Sequence, residues 1–250
     1  MYKNIATGAA PEPIVLLPGL LCDARIFRGQ LAAFDTAVMA PDYGDLDDLG
    51  AMAERVLAHA PGRFAMLGHS MGGRVALEVW RRAPQRVGRL ALVSTGVHPR
   101  RAGEQEKRHA LRDLGRTQGI AALVDAWLPP MLGMATAQDA GLVARLADMC
   151  RAAGMARYEA QEAALLARPE VLHLLPTIDC PVLVMVGSED RWSPPEQHRA
   201  IAAAIPHAAL VVIDGAGHMV PAEAPIAVND ALGDWLERPT AKINNTQRRA

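Results

Sequence analysis

The segment Phe64-Ala65-Met66-Leu67-Gly68-His69-Ser70-Met71-Gly72-Gly73 holds the residues best spaced to do chemistry. An apolar run ends in Gly-x-Ser-x-Gly, and a helical pattern starts at once. A strand that turns this sharply into a helix holds the serine in a strained conformation and lifts its hydroxyl above the sheet edge. Gly68 and Gly72 lack a Cβ, so neighbouring backbone can come close. The helix that follows aims unpaired N–H groups at any negative charge developing there. At this composition the pattern arises by chance roughly 0.03 times per chain. Ser70 is therefore read as a nucleophile. His69 points away from its neighbour in such a turn and is read as packing.

A serine hydroxyl needs a base to take its proton, and the base is usually a histidine held by a carboxylate. Of the eight histidines, His59, His98, His109, His173 and His198 fall in helical or linker stretches, where a surface role is the default. His207 follows Pro206 in a turn. His218 stands apart, because Gly215-Ala216-Gly217-His218 follows the last expected strand and its glycines let the loop fold back over the sheet edge. For the carboxylate, Glu189, Asp190 and Asp214 compete. Asp190 is preferred, since its shorter side chain sits deeper in the loop Gly187–Pro194. A negatively charged intermediate needs backbone N–H donors. Met71, after the nucleophile, and Leu20, in the loop Leu17-Pro18-Gly19-Leu20, are the candidates.

These residues need a frame. Apolar runs bounded by Gly and Pro occur at Ile14–Leu17, Ala37–Ala40, Phe64–Leu67, Leu90–Val93, Val182–Val186 and Leu210–Ile213. They lack two-residue alternation, as strands buried on both faces of a parallel sheet do. Helical patterns lie at Asp23–Phe34, Leu49–His59, Met71–Arg82, Pro195–Ala204 and Ala224–Glu237. The alternation predicts an α/β fold with a doubly wound, mostly parallel sheet. No strand is expected between 97 and 176, where Ala, Leu, Arg and Glu abound and Pro129-Pro130, Gly141, Gly154 and Pro169 interrupt. This stretch is read as an inserted helical cap on a core formed by residues 1–96 and 177–238. Residues 239–250 are read as a loose tail. Trp127, Leu128 and Met131, with Leu132 and Met134, are candidates for the cap side of a substrate pocket, and equally for cap core. Gly133 and Gly141 are candidate hinges.

The bulk numbers exclude several classes. Half of the 250 residues are hydrophobic but only 4% are aromatic, and the formal net charge is −1. No field is available to steer the chain onto nucleic acid or an anionic membrane. No apolar stretch reaches the ~20 residues needed to span a bilayer, and the first residues lack a secretory pattern. Cys22, Cys150 and Cys180 are odd in number and widely spaced, which argues for reduced thiols and a cytoplasmic protein. No cofactor or metal motif is present.

Gly68-His69-Ser70-Met71-Gly72-Gly73, the Gly187–Pro194 loop, and Gly215 to Pro221 with Glu223-Ala224-Pro225 together resemble the α/β-hydrolase family in order and spacing. The resemblance spans nearly the whole chain and is strongest to the small carboxylesterase and enol-lactonase branch. It implies a Ser70–Asp190–His218 triad and a cap that closes the pocket. Two features depart from the family. Pro18-Gly19 stands where His-Gly is frequent, and only about 13 residues precede Ile14, where a β-hairpin is frequent. Branches with an aspartate nucleophile do not fit Ser70.

The expected activity is hydrolysis of a carboxylic ester of a small to medium acyl substrate through an acyl-enzyme. Lactonase, thioesterase and carbon–carbon bond hydrolase use the same triad. A ligand-sensing receptor and an acyltransferase or perhydrolase are alternatives of another class.

Overall fold

The structure, a computed structural model, describes residues 12–239. The stretch on which a leader or an N-terminal hairpin would fall lies largely outside the described residues, as does the tail from residue 240 on.

Six strands form one sheet: β1 (Ile14–Leu17), β2 (Ala37–Met39), β3 (Phe64–His69), β4 (Val87–Val93), β5 (Val182–Gly187) and β6 (Ala209–Ile213). Their order is β2-β1-β3-β4-β5-β6, and every pairing is parallel. This is the doubly wound sheet the alternation predicts. β1, β3 and β5 are buried along their whole length, which is why their sequences carry no alternation. β2 and β6 close the two edges and keep partly exposed residues.

Around the sheet lie α1 (Arg28–Ala33), α2 (Leu49–His59), α3 (Met71–Arg82), α4 (Glu104–Trp127), α5 (Ala140–Leu166), α6 (Pro195–Ala204), α7 (Val220–Glu223) and α8 (Pro225–Glu237). The single helix expected over Asp23–Phe34 is corrected to a 3₁₀ turn, Ala24–Phe27, running into the short α1. Asp23 nucleates that turn by accepting from the N–H of Arg25 at 2.9 Å.

Between β4 and β5 the chain forms α4 and α5 and no strand. Both helices break inside, at Gly119 (φ 88°) and Gly154 (φ 79°), conformations that a residue with a Cβ rarely adopts. Gly141 lies in the first turn of α5. Gly133 is held by its N–H, which donates to Glu223 Oε2 at 2.8 Å.

The register aligns the carboxyl ends of the central strands. Leu17 pairs with Gly68, Val93 with Met185, and Gly187 with Ile213. The loops after β1, β3, β4, β5 and β6 therefore emerge along one edge. The strand order reverses between β1 and β3, and ligands of open α/β sheets bind in the crevice at such a point.

Candidate active site

Ser70 sits between β3 and α3 with φ 54° and ψ −116°. Only a small set of residues tolerates that region, and its cost, on the order of 1–3 kcal/mol, must be met by the surroundings. Here they do so in three ways. The Ser70 N–H donates to the Val93 carbonyl at 2.9 Å. Its carbonyl accepts from Thr95 Oγ1 at 2.7 Å. A Cβ on Gly72 would collide with the Leu17 carbonyl, and one on Gly68 would lie 2.5 Å from the Gly72 carbonyl oxygen.

The loop after β6 brings His218 over this turn. Its Nε2 lies 2.9 Å from Ser70 Oγ and its Nδ1 2.8 Å from Asp190 Oδ2. An ionised carboxylate only accepts, so Nδ1 carries the proton and donates to Asp190. Nε2 of the neutral ring is then the acceptor for the Ser70 hydroxyl. Asp190 Oδ1 is occupied separately, by the N–H groups of Trp192 and Ser193 at 2.9 and 2.8 Å. Burial alone would raise the Asp190 carboxyl. The electrostatic attraction and hydrogen bond of the adjoining His218 N–H, with the Ser193 N–H, outweigh it and hold the group below the usual carboxylate range.

The competing carboxylates are engaged elsewhere. Glu189 Oε2 accepts from the Met134 N–H at 2.6 Å, and Asp214 Oδ1 accepts from Ser188 Oγ at 3.3 Å. His69 is buried under the same loop and donates from Nε2 to the His218 carbonyl at 2.9 Å. Burial pushes its pKa down to about 3, so it stays neutral. A surface role for His198 is corrected. It is fully buried, with Nε2 accepting from the Thr95 N–H at 3.0 Å and Nδ1 donating to the Pro194 carbonyl at 3.2 Å. Burial pushes its pKa down to about 4.

A cavity of about 350 Å³ opens beside Ser70. Leu20 and Met71 line it, as do Trp127 and Met131. Leu128 is buried beside them but is absent from the lining, and Met134 is exposed. Met71 begins α3, and the first N–H groups of a helix have no intrahelical acceptor. In the loop after β1, Leu21 adopts φ 59° and donates its N–H to Gln161 Oε1 of α5 at 2.9 Å. The Cys22 N–H turns back to the Gly19 carbonyl at 3.1 Å. The backbone around Leu20 is thus fixed from both sides.

Three residues escape a sequence reading. Gln161 is 140 positions from the loop it holds. Glu223 accepts at Oε2 from Gly133 and Gly217 and at Oε1 from Met219, at 2.8 to 3.0 Å. Its place in the Glu223-Ala224-Pro225 motif is the one signal for it. Arg74 enters the cavity from α3, although a charge four residues along a helix reads as solvated. The three cysteines are buried and unpaired. Among the described residues no His, Cys, Asp and Glu cluster could hold a metal, and no helix is long and apolar enough to cross a membrane.

Residues 14–231 match the alpha/beta hydrolase family. A pimeloyl-[acyl-carrier protein] methyl ester esterase of Neisseria meningitidis is 31% identical over 195 residues, 73% of this chain and 75% of the relative. A thermophilic esterase from Thermogutta terrifontis superposes with a TM-score of 0.83 at 28% identity, covering 92% of this chain and 90% of the other. The enol-lactonase from Burkholderia xenovorans shares the fold, with a TM-score of 0.81 at 24% identity over 93% and 94% of the two chains.

Proposed function

The chain belongs to the alpha/beta hydrolase family, and on that premise we propose that it is a serine hydrolase cleaving a carboxylic ester of a small to medium substrate through an acyl-enzyme. The observation that carries this reading is the unbroken hydrogen-bond chain from Ser70 through His218 to Asp190, beside a cavity that Ser70 lines. The relatives named as esterases support the same bond type.

In this reading Ser70 Oγ attacks the carbonyl carbon while His218 Nε2 takes its proton. Asp190 fixes the tautomer and stabilises the imidazolium. The N–H groups of Leu20 and Met71 receive the oxyanion, each contributing on the order of 10²–10³ in rate. His218 then passes its proton to the leaving alcohol. Water, deprotonated by the same ring, releases the acid. Residues 97–176 act as a cap on the core 1–96 and 177–238, and supply Trp127 and Met131 to the substrate cavity. Three unpaired thiols support a reducing, cytoplasmic setting.

Hydrolysis of p-nitrophenyl esters of increasing acyl length tests the reading. The wild type should turn them over and Ser70→Ala should lose roughly 10⁴-fold or more. Equal trace rates for the two proteins would overturn it.

A further inference from the structure

The cavity beside Ser70 holds more positive charge than it neutralises. Arg74, Arg101, Lys107, Arg108 and Arg168 line it, against one lining carboxylate, Glu104. That carboxylate is already engaged. Arg168 grips it with Nη1 and Nη2 at 2.7 and 2.6 Å, and Arg108 Nε reaches it at 3.0 Å.

Arg74 is placed differently. It is only 5% exposed, and among the described residues no carboxylate lies within ion-pair distance of it. Its Nη2 donates to the His98 carbonyl at 2.6 Å, whereas its buried Nη1 has no hydrogen-bond partner. Burial, reinforced by the charge of Arg168, lowers its pKa to about 9, so it remains a cation at neutral pH. An uncompensated buried charge is costly, and buried charges are as a rule paired. Arg74 stands four residues after Ser70, just over one helical turn or about 6 Å along the axis.

We propose that Arg74 receives a carboxylate of the substrate, so that the preferred substrates are half-esters of short dicarboxylic acids. The ester carbonyl lies at Ser70 and the free carboxylate pairs with the Arg74 guanidinium where that side chain lines the cavity. One planar guanidinium matches one carboxylate. The methylene chain between the two ends packs on apolar lining such as Trp127, Met131 and Leu165. The reaction assigned to such substrates rests on the serine-hydrolase reading, whereas the anion site itself does not.

Binding is therefore measured apart from turnover. Ser70→Ala is titrated calorimetrically with monomethyl glutarate and monomethyl adipate, and with the matching neutral dimethyl esters. The half-esters should bind at least tenfold more tightly, the low end for a charge-assisted hydrogen bond. Adding Arg74→Gln should bring that ratio towards one. Equal affinities, or no binding of either half-ester up to about 10 mM, overturn the proposal. The ester comparison needs no change at Arg74, so it decides the matter even where the double variant folds poorly. Wild-type methanol release from the same compounds separates the two claims. Turnover without discrimination removes the anion site alone, and discrimination in binding without turnover removes the hydrolase reading alone.

Discussion

The His218 N–H donates to the Met131 carbonyl at 2.6 Å. The residue that bridges Ser70 and Asp190 is thus fastened to the segment that follows α4. Glu223 completes the clamp, since its carboxylate draws in Gly133 on one side and Gly217 and Met219 on the other. The imidazole and one wall of the cavity are positioned together.

Removing that carboxylate should loosen both. Glu223→Ala leaves three N–H groups without an acceptor and should destabilise the protein by about 1–3 kcal/mol in urea unfolding. It should also lower kcat, with the rate partly restored by Glu223→Gln, which keeps one acceptor oxygen. Unchanged kcat in a destabilised Glu223→Ala protein would show that the clamp serves stability only.

Asp190 sets which nitrogen of His218 carries the proton. Asp190→Asn places an NH₂ opposite Nδ1 and favours the wrong tautomer, with Nε2 protonated towards Ser70. Ester hydrolysis should fall about 10⁴-fold at neutral pH, with little change in melting temperature. A loss below tenfold would show that Asp190 does not orient the ring.

Acid should destabilise the fold through two neutral histidines. His69 and His198 have folded pKa values lowered to about 3 and about 4, each below the ~6.5 of an unfolded imidazole. Below pH ~6.5 the unfolded chain binds protons that the folded chain refuses. Stability is then lost by up to about 1.4 kcal/mol per pH unit for each ring, down to the folded pKa. Glu162 opposes this, because burial raises its carboxyl. Assigned histidine ¹³C shifts at pH 5 should show the His69 and His198 rings neutral in the folded protein. Charged rings at both positions at that pH would rule this origin of acid sensitivity out.

The turn at Ser70 tolerates no Cβ at Gly72, where Leu17 backbone stands. Gly72→Ala should cost about 3 kcal/mol or more, or prevent folding. Gly62 has open space around it, and Gly62→Ala should change stability by no more than about 0.5 kcal/mol. Similar effects at both positions would contradict the close approach of α3 to β1.

The strands are legible in the sequence because burial on both faces removes alternation, and β1, β3 and β5 read as continuous apolar runs. The meeting of Ser70, Asp190 and His218 is legible because each follows a strand, and parallel register brings those strand ends to one edge. What stays hidden depends on tertiary contact. His198 lies in a helix whose burial its own sequence does not disclose. Gln161 acts on a loop 140 residues away. Arg74 follows Ser70 on a helix face that could have met solvent, and only the segment folded above it makes that charge unusual. The break at Gly119 is hidden because an isolated glycine in a helical pattern usually continues the helix.

Every catalytic step proposed for this chain depends on Ser70 being the activated nucleophile. Wild type, Ser70→Ala and His218→Ala can each be treated with an alkyl fluorophosphonate and followed by intact mass and peptide mapping. One adduct is expected on wild type, confined to Ser70, with none on Ser70→Ala and labelling slowed by several orders of magnitude in His218→Ala. An adduct on another residue, or equal labelling of wild type and His218→Ala, would contradict that role for Ser70.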